Sequence, residues 1–240
     1  MRKAHIRKWV MSLLMLAMIG TASAQDGEYY TVRDFEVWSA AKLKYKMNKD
    51  WSMGLEQQFR FKDNASTIDQ YFTEFELKKG FGQHFSAAYG ARFIRNNDTE
   101  GGKQGYENFF RWNADLGFKH DINRLTLKYR IRYQAKNELS IEDEKDRTIR
   151  FMAEVKYNIK NWKLDPQFSS EIFNNFSNDE GFNKLRFTLE TDYKIKNIGE
   201  LGVFYRMEHE LIGLYPKTAH IAGFTYQYTL KSKNRSTRND

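Results

Sequence analysis

The 240-residue sequence has no cysteine and only two prolines. Without thiols there is no disulfide framework, no cysteine zinc site and no thiol nucleophile. With 15 glycines and two prolines it is too poor in both for a linker or a collagen-like segment. Beyond residue 24 it has no apolar run of the roughly 18–20 residues that a membrane helix requires, which excludes a multi-span helical protein. A membrane β-barrel stays open, because alternating strands average out to polar. Phosphate-loop and dinucleotide-binding fingerprints are also missing.

Aromatic residues, in contrast, are plentiful: 19 Phe, 14 Tyr and 5 Trp. The formal charge is +8. Arg2, Lys3, Arg7 and Lys8 lie in the first 24 residues, which hold no acid, so the rest of the chain keeps only half of that excess. A nucleic-acid partner is therefore not expected. Those four cations precede an apolar stretch from Val10 to Ile19 and the small-residue set Ala22-Ser23-Ala24 before Gln25. This is the three-part pattern of a cleaved secretory signal, and the apolar stretch is too short for an anchor. No cysteine follows it, so a lipid-anchored lipoprotein is excluded. The expected organisation is a signal peptide over 1–24, one β-domain over 25–231 and a polar disordered tail over 232–240.

From about residue 33 the chain alternates apolar and polar with period two. Leu125, Leu127, Tyr129, Ile131 and Tyr133 alternate with Thr126, Lys128, Arg130, Arg132 and Gln134. Period two places the two sets on opposite faces of a strand. Eleven such segments are expected, at 33–47, 51–62, 67–79, 84–95, 105–119, 124–135, 147–159, 162–174, 183–196, 199–210 and 219–231. Most are about twice the ordinary globular strand length, and they suit a tilted membrane-spanning strand. Short turns near residues 48–50, 80–83, 121–123, 160–161 and 197–199 alternate with longer loops at 63–66, 96–104, 136–146, 175–182 and 211–218. The fold class is all-β: an antiparallel transmembrane β-barrel with short periplasmic turns and longer extracellular loops. Bacterial single-chain barrels have even strand numbers. Eleven segments conflict with that rule, so the expected count is 10–12, with Glu28–Val32 as a possible additional strand.

A soluble lipocalin-like barrel would turn its apolar face inward. Strand length, aromatics clustered near both sets of connections, and the long charged side chains of the polar face favour the outward arrangement. Aromatics near the short turns include Tyr45, Trp51, Phe85 and Phe118; those near the long loops include Phe59, Tyr71, Phe93 and Tyr133. The lumen-lining charges are then Lys42, Glu56, Arg60, Asp115, Lys128, Arg130, Arg132, Arg150, Glu154, Glu171, Arg186, Glu190, Arg206 and Glu210. Centring each hairpin on its turn places Asp115, Lys128, Glu154, Gln167, Glu190 and Arg206 at one height. Arg132, Arg150, Glu171, Arg186 and Glu210 form a second belt, and Lys42 faces Glu56. Signs mostly alternate, as cross-strand pairing favours, except at Arg132–Arg150. Such a ring can plug a narrow barrel or line a selective channel.

The segment Asn48-Lys49-Asp50-Trp51-Ser52-Met53-Gly54-Leu55-Glu56-Gln57-Gln58-Phe59-Arg60, with Gln70-Tyr71-Phe72-Thr73-Glu74 and Tyr89-Gly90-Ala91-Arg92-Phe93, resembles a Gram-negative outer-membrane β-barrel family known only as a domain of unknown function. The resemblance covers about residues 33–231 and implies location and fold; it brings no catalytic residues with it. One departure from common barrels is the polar basic tail after the last strand, where many barrels end on an aromatic.

For chemistry, the chain after the leader offers only four histidines, His84, His120, His209 and His220. His84 and His120 sit at short turns. His209 lies on the face opposite its neighbours Glu208 and Glu210. His220 is on the apolar face with no serine two residues away. No nucleophile–base–orienter set stands out. The acidic loop 136–146 lacks calcium-loop spacing, so neither a metal nor a cofactor is expected. The expected function is a non-enzymatic outer-membrane protein, either a narrow pore for small polar solutes or a structural or accessory envelope component. The alternative is a membrane-embedded hydrolase of phospholipid or lipopolysaccharide. Expected partners are outer-membrane lipid, lipopolysaccharide and the barrel-insertion machinery.

Overall fold

The computed structural model describes residues 31–99, 104–139, 145–177 and 181–232. The segment expected to be a signal peptide, all of the expected tail but Ser232, and most of the additional strand considered at 28–32 lie outside the described residues. The alternation becomes eleven strands: β1 (Val32–Lys46), β2 (Trp51–Lys62), β3 (Thr67–Phe81), β4 (Phe85–Asp98), β5 (Gly105–Ile122), β6 (Leu125–Glu138), β7 (Lys145–Tyr157), β8 (Asp165–Asn175), β9 (Gly181–Ile195), β10 (Gly199–Glu210) and β11 (Lys217–Lys231). Among the described residues there is no helix.

Each strand pairs antiparallel with the next in sequence. The sheet closes where β1 meets β11. These two run parallel, in unbroken register from Val32 opposite Lys217 to Lys46 opposite Lys231. An odd number of up-and-down strands requires this geometry, because the first and last strands then point the same way. The count is thus eleven. Closure leaves no unpaired edge.

The connections follow from turn chemistry. Gly82, Asn123, Asn161 and Asn197 take left-handed backbone at four of the five connections expected as short turns, the conformation that glycine and asparagine tolerate best. At the fifth, the Asn48 side-chain oxygen accepts from the N–H groups of Asp50 and Trp51 at 2.9 and 2.8 Å. Two connections differ from the sequence pattern. β7 ends at Tyr157 and β8 starts at Asp165, so the turn expected at 160–161 is a longer link; the Asp165 carboxylate holds it by accepting from the Ile159 N–H at 3.1 Å. The connection at 63–66 is a tight turn with Asp63, Asn64 and Ala65 all left-handed. It is pinned to β1, where Asp34 accepts from the N–H groups of Asp63 and Asn64 and the Phe35 carbonyl accepts from that of Ala65.

Alternation sorts the side chains cleanly. Along β1, Asp34, Glu36, Trp38 and Ala40 are buried inside while Phe35 and Leu43 are exposed outside. The apolar core is correspondingly small. It consists of Trp38, Ala219 and Ile221, with Phe204 packed against them, inside the closing seam. Gly223 lies opposite Trp38 on β1 and Phe204 on β10. A β-carbon there would fall 2.0 Å from Phe204 Cζ, so only glycine admits the ring. Gly223→Ala is expected to destabilise the folded barrel by about 1–3 kcal/mol through overpacking, read as a lower temperature for the loss of heat-modifiable gel migration. Adding Phe204→Leu should restore part of that loss; an unshifted transition in Gly223→Ala would contradict this packing.

Candidate functional site

The barrel interior brings together residues far apart in sequence, since inward positions of every strand converge there. It encloses a polar cavity of about 500 Å³ lined by ten cationic and eight acidic side chains. The lining runs from Lys42 and Glu56 on the short-turn side to Asp146 and Asn183 on the long-loop side.

The charges are organised around four carboxylates. Glu171 on β8 accepts from three arginines, Arg130 at 2.7 Å, Arg150 at 2.6 Å and Arg186 at 3.2 Å. Glu74 on β3 binds Arg92 and Arg111 of the next two strands, the latter at 2.9 Å. Asp115 on β5 holds Arg132 through two bonds, at 2.7 and 2.6 Å. Glu208 on β10 takes Arg186 at 2.6 Å and Lys184 at 3.7 Å. Arg132 and Arg150 are directly opposite each other, a like-charge pair that alone would be unfavourable. Each turns to an acid on its other side, Asp115 for Arg132 and Glu171 for Arg150, so compensation runs around the barrel rather than within one hairpin.

Among the remaining expected positions, Lys42 and Glu56 pair at 3.3 Å and Lys128 and Glu154 at 2.5 Å. Arg60 and Arg206 line the cavity and have no carboxylate within ion-pair distance among the described residues. Glu190 lines the cavity opposite Gln167 and Phe204. Glu210 lies at the long-loop end and accepts from the backbone N–H of Lys217 at 3.0 Å.

The expected belts need correction in register. Lys128 with Glu154, Gln167 with Glu190, Arg132 with Arg150, Glu171 with Arg186 and Lys42 with Glu56 are directly opposite. Asp115, in contrast, faces Arg132 rather than Lys128, Glu154 faces Ser169, and Arg206 faces Thr188. For Asp115 the reason is visible at β5, which continues past Lys119 through His120 and Asp121 to a turn at Asn123 and Arg124. His120 and Asp121 read as turn in sequence, yet they extend the strand.

Sequence reasoning missed the aromatic members of the polar face. Trp38, Phe72, Phe173 and Phe204 point inward, and arginines stack on them. Arg92 lies 3.4 Å from the Phe72 ring centre, Arg60 3.6 Å from Trp38, and Arg150 and Arg186 4.4 and 4.7 Å from Phe173. Such stacking suits the weakly hydrated guanidinium plane. The available signal was phase: Phe72 stands in register with Gln70 and Glu74, on the charged side of β3. Glu74, Arg92, Arg111 and Glu208 were missed as well, although the same period-two count places them inside.

The histidines lie elsewhere. His209 and His220 are on the outer face, where His209 Nδ1 meets the Thr218 hydroxyl at 2.8 Å and His220 Nδ1 the Tyr205 hydroxyl at 2.7 Å. Both partners come from the neighbouring strand, which a search along one strand does not find. Glu208 and Glu210 face inward, so no flanking carboxylate backs His209. His84 and His120 lie near each other at the short-turn end, with ring centres 6.3 Å apart. No group of three His, Asp or Glu residues suited to a metal occurs among the described residues; the loop acids at 142–144 lie outside them.

Glu171 is the most heavily shared acid, and its side chain is only 5% exposed. Glu171→Gln leaves Arg130, Arg150 and Arg186 around a neutral amide. The expected cost is about 3 kcal/mol or more, since breaking a buried ion pair strands uncompensated charge, measured by urea unfolding in detergent. Unchanged unfolding would contradict the compensation described here.

Neither a curated protein nor a solved structure matches the chain. A family model does, over residues 35–211, a span that runs from within β1 to just past β10 and so includes most of the interior constellation. The chain belongs to the family described as Protein of unknown function (DUF2490).

Proposed function

We propose that this protein is an outer-membrane β-barrel whose lumen is a narrow, charge-lined passage for small polar solutes, without catalysis of its own. The observation that carries this reading is the opposition of faces. The outside of a closed barrel presents large apolar side chains such as Leu116, Ile131, Phe93, Leu189 and Phe224, all at least half exposed, while the inside holds the polar cavity. A water-soluble protein rarely exposes apolar surface on that scale; lipid removes the cost. A strand of 12 residues spans about 40 Å, and tilted by roughly 40° it still crosses a bilayer core of about 30 Å. Outward aromatic pairs, Phe85 with Phe118 at 5.1 Å near the short turns and Phe93 with Phe110 at 5.1 Å nearer the long loops, lie where two interfacial girdles belong.

The lumen favours a passage over a solid plug because one cavity is lined by residues from both halves of the barrel. Its width is limited: eleven strands leave room for side chains and some water, far short of a wide porin channel. The hydrolase reading gains the two outer-face histidine–hydroxyl pairs. Among the described residues neither pair has a carboxylate bonded to its histidine, and the neighbouring strand N–H groups belong to the ladder rather than to an oxyanion site.

The purified, detergent-folded protein, checked by heat-modifiable migration, is expected to give small discrete conductance steps in a planar bilayer. Silence from a demonstrably folded and inserted barrel would contradict the passage and favour a plugged, structural barrel.

A further inference from the structure

We propose that the lumen contains an anion-binding site on the wall formed by β10, β11, β1 and β2, built from Arg60 and Arg206, which takes small solutes bearing phosphate, sulfate or carboxylate. The inference deepens the passage reading and rests on its water-accessible lumen.

The cations of the interior fall into two groups. On the β3–β9 side, Arg92, Arg111, Arg130, Arg132, Arg150 and Arg186 all spend their charge on Glu74, Asp115, Glu171 or Glu208. On the neighbouring wall, Arg60 and Arg206 have neutral partners instead. Arg60 Nε donates to the Gln58 side-chain oxygen at 2.8 Å, and Arg206 Nε donates to the Thr188 hydroxyl at 3.0 Å. The nearby acid Glu208 is already taken by Arg186 and Lys184. Two positive charges therefore face the cavity with no carboxylate in ion-pair contact, and Glu190, which lines the same cavity, stands beyond that distance from both.

They are also held in place. Both guanidinium groups lie against the same indole, Trp38, with Cζ at 3.6 Å for Arg60 and 5.0 Å for Arg206. Phe72 lies 5.2 Å from Arg60, and Phe204 lies 4.7 Å from Arg206. Trp38 is itself fixed by donating from Nε1 to Glu36 at 2.9 Å. Stacking on a ring leaves the edge N–H groups of guanidinium free to bind in its plane, and with each Nε committed to a neutral partner the terminal nitrogens supply those donors. Two such forks sharing one platform match the tetrahedral oxygens of phosphate or sulfate, or a planar carboxylate. Like charges gathered in an enclosed lumen repel, and an anion between them relieves that repulsion. Arg130 and Arg132 form no such site, since each is already bonded to a carboxylate, Glu171 and Asp115.

The test is calorimetric titration of the full-length, detergent-folded protein with inorganic phosphate, with glycerol as the uncharged control. Saturable phosphate binding is expected. Arg60→Gln and Arg206→Gln should each weaken it by about tenfold or more, the factor carried by one charge-assisted hydrogen bond. Arg60→Lys keeps the charge and loses the fork, so it should weaken binding less and serves where Arg60→Gln does not fold. Lys49→Gln removes an equal charge from an exposed turn and should leave binding unchanged. In the bilayer, chloride should permeate faster than potassium, and the preference should fall in Arg60→Gln. A silent bilayer with phosphate binding intact would overturn the passage and leave the anion site standing. A conducting barrel that binds no phosphate, or whose folded Arg206→Gln variant binds it as tightly as the parent, would overturn the site.

Discussion

Closure of the hydrogen-bonded ladder is the constraint on which everything else depends. A strand commits its N–H and C=O groups to both neighbours, and in this chain the last unsatisfied edges meet where β1 and β11 run side by side in parallel. Once the circle is closed, every side chain must point either in or out. Period two in the sequence then becomes a partition of chemistry, with lipid-compatible groups outside and ionic groups inside. The seam is reinforced at its long-loop end, where Lys217 reaches Asp34 at 2.9 Å and Glu36 at 3.2 Å. The same Asp34 pins the left-handed turn after β2, so closure and turn geometry share one carboxylate.

The interior solves a problem that closure creates. Many charged side chains confined in a narrow space repel or desolvate one another unless each finds a partner. Here acids are shared, most of all Glu171, and guanidinium planes that are not satisfied by acids rest on aromatic rings. Trp38, Phe72, Phe173 and Phe204 thus act as platforms within a polar lumen rather than as members of a conventional core. The result is asymmetric: arginines are held by acids where Glu74, Asp115 and Glu171 dominate, and have no ion-pair partner where Arg60 and Arg206 share Trp38. In a passage, that asymmetry gives a solute a preferred sign and a preferred wall.

Much of the fold was legible because it rests on local alternation. The boundaries of β2 and β10 coincide with the sequence pattern, and most others shift by one to three residues. Strand count was readable too, and only the rule of even numbers argued against it. Register was legible across the longer loops, as at Lys128 and Glu154, and misplaced across several short turns, as at Asp115 and Arg132. Polar strand ends such as His120–Asp121 look like turns, because nothing apolar marks the end of a solvent-exposed extension. The displacements were even-numbered, so each residue kept its face and the composition of the lumen survived the error. What sequence could not supply was which acid serves which arginine, since diagonal and next-but-one strands contribute: Arg130 of β6 reaches Glu171 of β8. The cross-strand histidine partners Thr218 and Tyr205 were hidden for the same reason.

The most direct test of the account is whether the outer face meets lipid. The chain has no cysteine, so each introduced cysteine is a unique labelling position. A spin-label scan over 127–134 of β6 in lipid vesicles would compare collision with dissolved oxygen against collision with a water-soluble nickel chelate. The account predicts strict alternation, with labels at Leu127, Tyr129, Ile131 and Tyr133 relaxed by oxygen and shielded from nickel, and labels at Lys128, Arg130, Arg132 and Gln134 out of phase. Nickel access at the apolar positions, or no alternation at all, would contradict a lipid-facing barrel and with it the passage through its lumen.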